Sequence, residues 1–311
     1  MTSAICTLFE NDYHYGVGAL ANSLYLHGFR GTIYAGYRGA LPPWVTGTKE
    51  SGGFTEFSPV DGLTLRFIAL TTPIHLTNYK PDFMLETWER HCPKIEALFY
   101  FDPDITIKCR WTFFEEWARA GVGLCADVNP SMPTNHPIRH AWKRFCNARG
   151  IEPRRELDAY FNGGFVGVSR QDQNFLVLWK DLIGMIGEAA GGLEKMIIGE
   201  RSERFYIADQ DGLNIAAMTS ESPISPMGQD GMGFQYGGGG YVMKHAAGGK
   251  KPWKKPFLRT VLVRAAPPSG ADKEFFQYVE FPIRLYPALP LAFKRLLLLA
   301  ASFLGRFMRQ G

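Results

Sequence analysis

The sequence predicts an α/β protein built on a parallel sheet, and three observations predict it. A strand–helix–strand unit opens the chain. Short apolar runs then alternate with helically spaced stretches over most of the length. One of those runs, Ala97–Phe101, is apolar at every position, as a strand covered on both faces must be. With 311 residues the chain can form one large domain or two small ones around a sizeable core.

Ala4–Phe9 reads as the first strand, closed by the polar turn Glu10-Asn11-Asp12-Tyr13. Gly18–His27 has helical spacing, with Leu20, Leu24 and His27 on one side and Gly28 as its stop. Gly31–Gly36 is the second strand. Residues 37–60, rich in Pro and Gly, read as loop, Leu63–Leu70 as a strand and Asp82–His91 as a helix. Ala97–Phe101 stops abruptly at Asp102-Pro103-Asp104, after which Ile105 and Ile107 resume the apolar pattern. Phe113–Ala120 is helical, and Val122–Ala126 is a strand ending on Asp127. The proline-bearing stretch Asn129–Pro137 is a loop, Ala141–Ala148 a helix, and Tyr160–Val168 a glycine turn entering a strand. Phe175–Ile186 is an apolar helix, and Tyr206–Ala208 leads through Asp209-Gln210-Asp211 into a helix over Leu213–Met218. Ser220–Gly240, low in complexity, reads as a lid or a linker. No internal repeat and no dividing linker stands out.

Composition narrows the function. A hydrophobic fraction of 46% and a charged fraction of 21% exclude disorder as the main state. A net charge of +4 is too small for the concentrated basic face of a nucleic-acid binder. The five cysteines form no C-x-x-C, so neither a disulfide framework nor a zinc ribbon is expected, and reduced thiols suit a cytoplasmic protein. Met1–Phe9 lacks the basic start of a signal peptide, and no apolar run reaches the ~18 residues of a membrane span.

Two segments carry chemistry. Asp102 and Asp104 place two carboxylates one residue apart at the end of a buried strand, where ligands gather in open parallel sheets. Their hard oxygens suit Mg²⁺ or Mn²⁺, which in turn can hold a diphosphate, although Asp-Pro-Asp is also good surface-turn chemistry. The second is His245-Ala246-Ala247-Gly248-Gly249-Lys250-Lys251-Pro252-Trp253. It offers an imidazole for a borderline metal, glycines for close approach to phosphate and a lysine as a point charge; the plainer reading is a solvated loop. His136 and His140 are four apart, but Pro137 between them and the lack of a metal-ligand helix pattern argue against a second metal site.

An Asp-x-Asp after an apolar strand, followed by His-x-x-Gly-x-x-Lys-Pro-Trp, resembles glycosyltransferase family 8. That family includes glycogenin-like enzymes and bacterial lipooligosaccharide galactosyl- and glucosyltransferases. The matched residues are Asp102, Asp104, His245, Gly248, Lys251, Pro252 and Trp253. The turn at Glu10–Tyr13 is similar to the family's nucleotide-binding acidic turn, and Asp127 closes the strand after Asp-x-Asp. Phe161-Asn162-Gly163-Gly164 is similar to its F-N-(S/A)-G and Asp209-Gln210-Asp211-Gly212-Leu213-Asn214 to its D-Q-D-x-L-N. Two departures stand out: Gly163-Gly164 replaces a small residue and one Gly, and the family's donor-reaching Arg has only Lys80, at longer spacing, as its counterpart.

The resemblance implies a GT-A fold, a Rossmann-like central mixed sheet flanked by helices, over residues 1–285. It implies a metal-dependent retaining transferase that moves a hexose from a nucleotide sugar, UDP being the family's common nucleotide, to a hydroxyl of a cell-surface glycan or glycolipid. Mn²⁺ or Mg²⁺ would be held by Asp102, Asp104 and His245 together with the donor phosphates. Lys251 and the Gly248 backbone would offset the leaving charge, Glu10 or Asp12 would meet the base or ribose, and Lys80 would reach the donor. Asp127, Asn162 and Asp209 would hold sugar hydroxyls, with Gln210 beneath the anomeric carbon. The plain alternatives are helix caps for Asp127 and Asp209 and a turn former for Asn162. A Gln is a poor nucleophile, so front-face attack by the acceptor is expected rather than double displacement.

Residues 286–311 differ in composition. At ~100° per residue, Lys294, Arg295, Arg306 and Arg309 share one arc, on which Leu298 intrudes, and Leu, Phe, Ala and Met fill most of the rest. Residues 288–309 thus read as an interfacial helix touching the inner face of a membrane, which suits a lipid-linked acceptor, or as a helix docked on the protein's own core with its cations solvated. Two other functions share this sequence pattern. A nucleotidyltransferase can use a similar sheet, but normally has a Gly-rich basic loop after its first strand, where this chain is acidic and aromatic. The other is a non-catalytic glycan-binding relative.

Overall fold

A computed structural model describes residues 1–129, 131–234 and 240–308. The opening unit forms as its residues require: β1 (Ser3–Glu10), α1 (His14–Leu26) and β2 (Gly31–Arg38), with β1 and β2 parallel and Ile5 opposite Ile33. A 3-10 turn over Asn11–Tyr13 joins β1 to α1, so the helix starts one turn earlier than its apolar spacing suggests.

The apparent loop 37–60 is only partly loop. Its second half is a hairpin of β3 (Lys49–Ser51) and β4 (Phe54–Val60), antiparallel to each other and joined through β4 to β5 (Leu63–Ala69). Gly52 and Gly53 have φ of 58° and 88°, the left-handed pair that a two-residue hairpin turn demands. Then follow α2 (Lys80–Glu86), a π-helical turn over Thr87–His91, β6 (Ala97–Phe101), β7 (Ile105–Ile107), α3 (Trp111–Arg119) and β8 (Val122–Cys125). After α4 (Pro137–Asn147) come β9 (Phe165–Ser169), α5 (Asn174–Ala190) and α6 (Ala208–Thr219).

Ser220–Gly240 also differs from expectation. Ile224–Met227 is a strand, β10, paired with β8, and Gln229–Met232 forms a 3-10 turn that buries Met232. Pro226 is tolerated because β10 is an edge strand. Residues 235–239 of that stretch lie outside the described residues. The chain continues through β11 (Met243–His245), α7 (Phe257–Arg264), α8 (Gly270–Phe275) and α9 (Ala288–Phe307). The sequence reading did not anticipate α7 or α8.

Among the described residues the main sheet has the order β10-β8-β9-β6-β1-β2-β5-β4-β3. It is mixed rather than wholly parallel: β9 runs against both β6 and β8, and β4 against β5. β6 lies inside the sheet, between β9 and β1, and divides the core by period two. Ala97, Phe99 and Phe101 pack in a layer with α1, α3 and the C-terminal aromatics, whereas Leu98 and Tyr100 pack with Trp88, Trp179 and α6 on the other face. Helices on both faces therefore force β6 to be apolar throughout.

The sheet directions fix where polar groups collect. β1, β6 and β8 end at one edge with Glu10, Asp102 and, two residues past the end of β8, Asp127, while antiparallel β9 begins there after Asn162-Gly163-Gly164. α6 enters the same edge. Its start is tied by Asp211, whose Oδ2 accepts the backbone N–H of Tyr206 (2.7 Å) and Ile207 (3.1 Å) while Tyr160 donates its hydroxyl to Oδ1 (2.9 Å).

Burial pushes the Asp211 carboxyl up to about 6, against the pull of those three donors. The folded state thus holds this proton more tightly than the unfolded chain, and the stability it contributes is lost as pH rises from about 4 through about 6. Asp211→Asn keeps an acceptor for the amides. Urea unfolding at pH 4 and pH 7 is expected to show the variant gaining about 2–3 kcal/mol over the parent between the two; an unchanged difference rejects the assignment.

Candidate active site

The Asp102–Asp104 turn is locked by backbone contacts. Asp102 donates its N–H to the Gly164 carbonyl (2.7 Å), and Ile105 donates to the Asp102 carbonyl (3.1 Å). α1 passes directly beneath, at Gly16, where any Cβ would collide with the Pro103 carbonyl. β7 leaves the main sheet to pair antiparallel with β11, setting His245 opposite Ile105. Ala246 then donates to the Asp104 carbonyl (3.0 Å). A three-residue ladder is what carries the distant imidazole to the acidic pair.

His245 Nε2 lies 3.2 Å from Asp104 Oδ1 and 3.9 Å from Asp102 Oδ2. One ligand atom from each of the three residues can be chosen so that all lie within 4.8 Å of one another. The other carboxylate oxygens are occupied: Asp102 Oδ1 by Lys80 Nζ (3.1 Å) and the Tyr100 hydroxyl (3.1 Å), Asp104 Oδ2 by Lys251 Nζ (2.6 Å). Burial alone would raise the Asp104 carboxyl, but His245 and Lys251 hold it below the usual carboxylate range. His245 Nδ1 is buried without a hydrogen-bond partner among the described residues. A Cβ on Gly164 would lie 2.7 Å from His245 Cε1 and 2.9 Å from Asp102 Oδ2, so any side chain there would fill the cradle. Two oxygens and an imidazole nitrogen, converging with one side open, fit a divalent cation of the Mg²⁺ or Mn²⁺ kind.

Lys80 is the second centre. It is only 2% exposed. Its ammonium contacts Asp102, Asp209 Oδ2 (3.0 Å) and the Gly163 carbonyl (2.9 Å), which it donates to. Burial works to lower its proton affinity, yet the two carboxylates outweigh it and keep it above the ordinary lysine value. Asp209 is pushed up by burial and pulled down by Lys80, and its Oδ1 is buried without a partner among the described residues. The double glycine follows from this contact: a Cβ on Gly163 would come 2.7 Å from Asp209 Oδ2.

Gln210 accepts the Gly163 N–H through Oε1 (3.0 Å). Asp127 accepts from Asn162 Nδ2 through Oδ2 and from the Asn129 N–H through Oδ1 (2.8 Å), and Asn162 Oδ1 accepts the Gly164 N–H (2.8 Å). Neither Asp127 nor Asp209 is a helix cap: His136 caps α4, and Ile207 precedes α6. Glu10 reaches the site while ion-paired to Arg38 (3.0 Å). Asp12 stands apart. It accepts from Trp253 Nε1 (2.7 Å) and pairs with Lys254 (2.7 Å), fastening the 252–254 turn to the head of α1.

One cleft of about 640 Å³ gathers the site residues except Asp12, Gly248 and Lys251 included. Asn129, Arg201, Tyr206, Ile207 and Gln210 also line an adjoining cavity of about 190 Å³. Sequence reading missed Tyr100, Asn129 and Arg201. Tyr100 was legible only as core, and the other two lie in loops without a pattern.

A Rossmann-like mixed sheet flanked by helices, with an acidic cluster at the carboxyl edge of its strands, is a fold that glycosyltransferases use. Among solved structures the chain is similar to the WbbM bifunctional glycosyltransferase in its apo form, at 12% identity and a TM-score of 0.52. The match covers 94% of this chain and 51% of that one, so the chain spans about half the length of that protein. At this identity the likeness is one of fold. No protein-family profile matches the chain, and no curated protein matches it by sequence.

Replacing Lys80 with Met keeps the length of the side chain but leaves Asp102 and Asp209 facing each other unneutralised. A loss of about 3–5 kcal/mol in urea unfolding is expected; a change within about 0.5 kcal/mol would mean that the ammonium is dispensable to the fold.

Proposed function

We propose that the protein is a metal-dependent retaining hexosyltransferase of the family 8 kind. It would take a hexose from a nucleotide sugar, with UDP as the nucleotide, and pass it to a hydroxyl of a cell-surface glycan or glycolipid at the cytosolic face of a membrane. The observation that carries this reading is the convergence of Asp102, Asp104 and His245, backed by two lysines, inside a cleft large enough for a nucleotide sugar. A bound Mn²⁺ or Mg²⁺ supplies Lewis-acid stabilisation of the leaving diphosphate.

The chain's own groups do the remainder. Lys251 and the Gly248 backbone line the wall where the diphosphate departs and oppose its charge. Glu10 lies at the end of β1 to meet the ribose or base, and Lys80 holds Asp209 and Asp102 in place. Asp127, Asn162 and Asp209 bring acceptor oxygens to the sugar hydroxyls. Gln210 gives its carbonyl to the Gly163 N–H and its amide to the Tyr160 hydroxyl, which fixes the amide plane at the cleft wall, beneath the sugar. An amide cannot form a stable glycosyl ester, so the acceptor hydroxyl attacks on the side from which the diphosphate leaves, and a departing phosphate oxygen takes the proton. The adjoining cavity shares Gln210 and Tyr206 with the cleft and is where the acceptor enters.

Residues 1–285 form the transferase domain in this reading, and 286–311 a peripheral membrane contact; Arg309 lies outside the described residues. By length and composition α9 can cross a bilayer, with a hydropathy of 1.6. Its docking on the protein body through Leu291, Leu298, Ala301 and Gly305 favours a helix that lies on the membrane.

The test is a screen of nucleotide sugars for hydrolysis with and without Mn²⁺. Asp104→Ala and His245→Ala are each expected to lower Mn²⁺-dependent turnover by about a hundredfold or more while circular dichroism stays unchanged. Release of inorganic diphosphate instead points to nucleotidyl transfer, and no turnover with any donor to a glycan-binding protein. A glycoside product of inverted configuration rules out the retaining step.

A further inference from the structure

The 246–250 loop has two sides. Ala247, Gly248 and Gly249 line the metal-type cleft on one side and a separate cavity of about 410 Å³ on the other. That second cavity is completed by α7 and the residues leading into α8, and its charge is one-sided. Lys250, Lys255, Arg259 and Arg264 line it against a single acid, Asp272. The acid is already spent: Asp272 Oδ2 pairs with Lys255 Nζ (2.6 Å) and accepts the Ser269 N–H (2.7 Å). Lys250, Arg259 and Arg264 make no ion pair or hydrogen bond among the described residues. Three uncompensated cations around one concavity focus a positive potential into it.

α7 continues this wall into an apolar surface. Leu262 and Val263 are 60% and 71% exposed, and α7 packs beside α9. On α9, Leu289, Phe293, Leu296, Leu299, Phe303 and Phe307 are all exposed. At ~100° per residue they fall in one arc, opposite the docked residues Leu291, Leu298, Ala301 and Gly305. Two cations of the polar arc point back to the body: Lys294 donates to the Trp253 carbonyl (3.4 Å), and Arg295 donates to the Phe276 carbonyl (3.0 Å) and pairs with Glu280 (2.6 Å). The helix therefore covers part of its polar stripe and displays its apolar one, the reverse of a helix meant for water. A two-fold contact with a second copy would set the same cations against one another. Hydrocarbon beneath a layer of anionic headgroups satisfies both the apolar arc and the cationic cavity.

We infer that the cavity between the 246–250 loop and α7 binds the phosphate of a membrane lipid through Lys250, Arg259 and Arg264, while the α7–α9 face lies in the headgroup region. The inference rests on the membrane reading of α9 given above and adds to it a ligand class and the residues that hold it. A phosphate so held sits one loop's thickness from the donor cleft.

The test uses the full chain with phosphatidylcholine vesicles, with or without phosphatidylglycerol, and reads co-flotation. Mn²⁺-dependent donor hydrolysis is measured separately. The parent is expected to float only with phosphatidylglycerol vesicles. Lys250→Gln, Arg259→Gln and Arg264→Gln combined should lower that partitioning by roughly a hundredfold, each cation near an anionic surface contributing about fivefold, with donor hydrolysis unchanged. A control carrying Arg110→Gln, Arg119→Gln and Arg144→Gln removes the same charge elsewhere and should stay within about threefold of the parent. The inference is overturned if the parent ignores phosphatidylglycerol or if the cavity variant floats like the parent. Equal loss in the control, tight binding of inorganic phosphate without vesicles, or a dimer that the cavity variant dissolves would also overturn it. Vesicle binding without any donor hydrolysis would remove the transferase reading and leave the lipid site standing.

Discussion

A single buried ammonium holds the site together. Lys80 joins the end of β6 through Asp102, the start of α6 through Asp209 and the turn into β9 through the Gly163 carbonyl. These segments are far apart in sequence, and each brings a polar group that burial alone would penalise. With the cation between them, two carboxylates approach one lysine without leaving their elements, and Asp102 keeps one oxygen turned toward His245. The same contact bears on the local sequence, since a Cβ at position 163 would come 2.7 Å from Asp209 Oδ2 and push it off Lys80. Lys251 does the equivalent for Asp104 on the far side, so the acidic pair is clamped from its outer faces while its inner oxygens turn toward His245.

How much of this was legible depended on the range of the interaction. The strand Ala97–Phe101 and the acidic turn after it were readable because burial on both faces leaves no room for a polar residue. The hairpin over 49–60 was hidden by its Pro and Gly content, although Gly52-Gly53 between two short extended runs is a hairpin signal. His245 could be placed near Asp102 only by family resemblance, because a ladder of three residues carries no readable pattern. Lys80 shows the opposite failure. A lysine beside a proline reads as solvated, and nothing local announces the two acids that bury it. For α9 the helical wheel separated two faces correctly, but it could not say which one turns inward. Leu298, the apolar intruder on the cationic arc, proved to be a docking residue.

Fold and site bear on function with different force. The mixed sheet places the ends of β1, β6 and β8 and the beginning of β9 along one edge, so a cleft there is a consequence of topology. What the cleft can do comes from the groups crowding it: two carboxylates and an imidazole that converge, two lysines, and the amide of Gln210. In the reading proposed above, that combination would serve a leaving diphosphate and a sugar.

The loop between the two cavities has almost no side chains. Ala247 ends in a methyl group, and Gly248 and Gly249 hold φ of 69° and 40° with nothing near the place a Cβ would take. Such a segment loses more freedom on ordering than any other composition would. An occupant that immobilises it from either side spares the other occupant that entropy, and thermodynamic reciprocity makes the two gains equal. With the two occupants proposed above, the partition would be a point of heterotropic linkage: a surface bound on one flank and a nucleotide bound on the other would each tighten the other's hold.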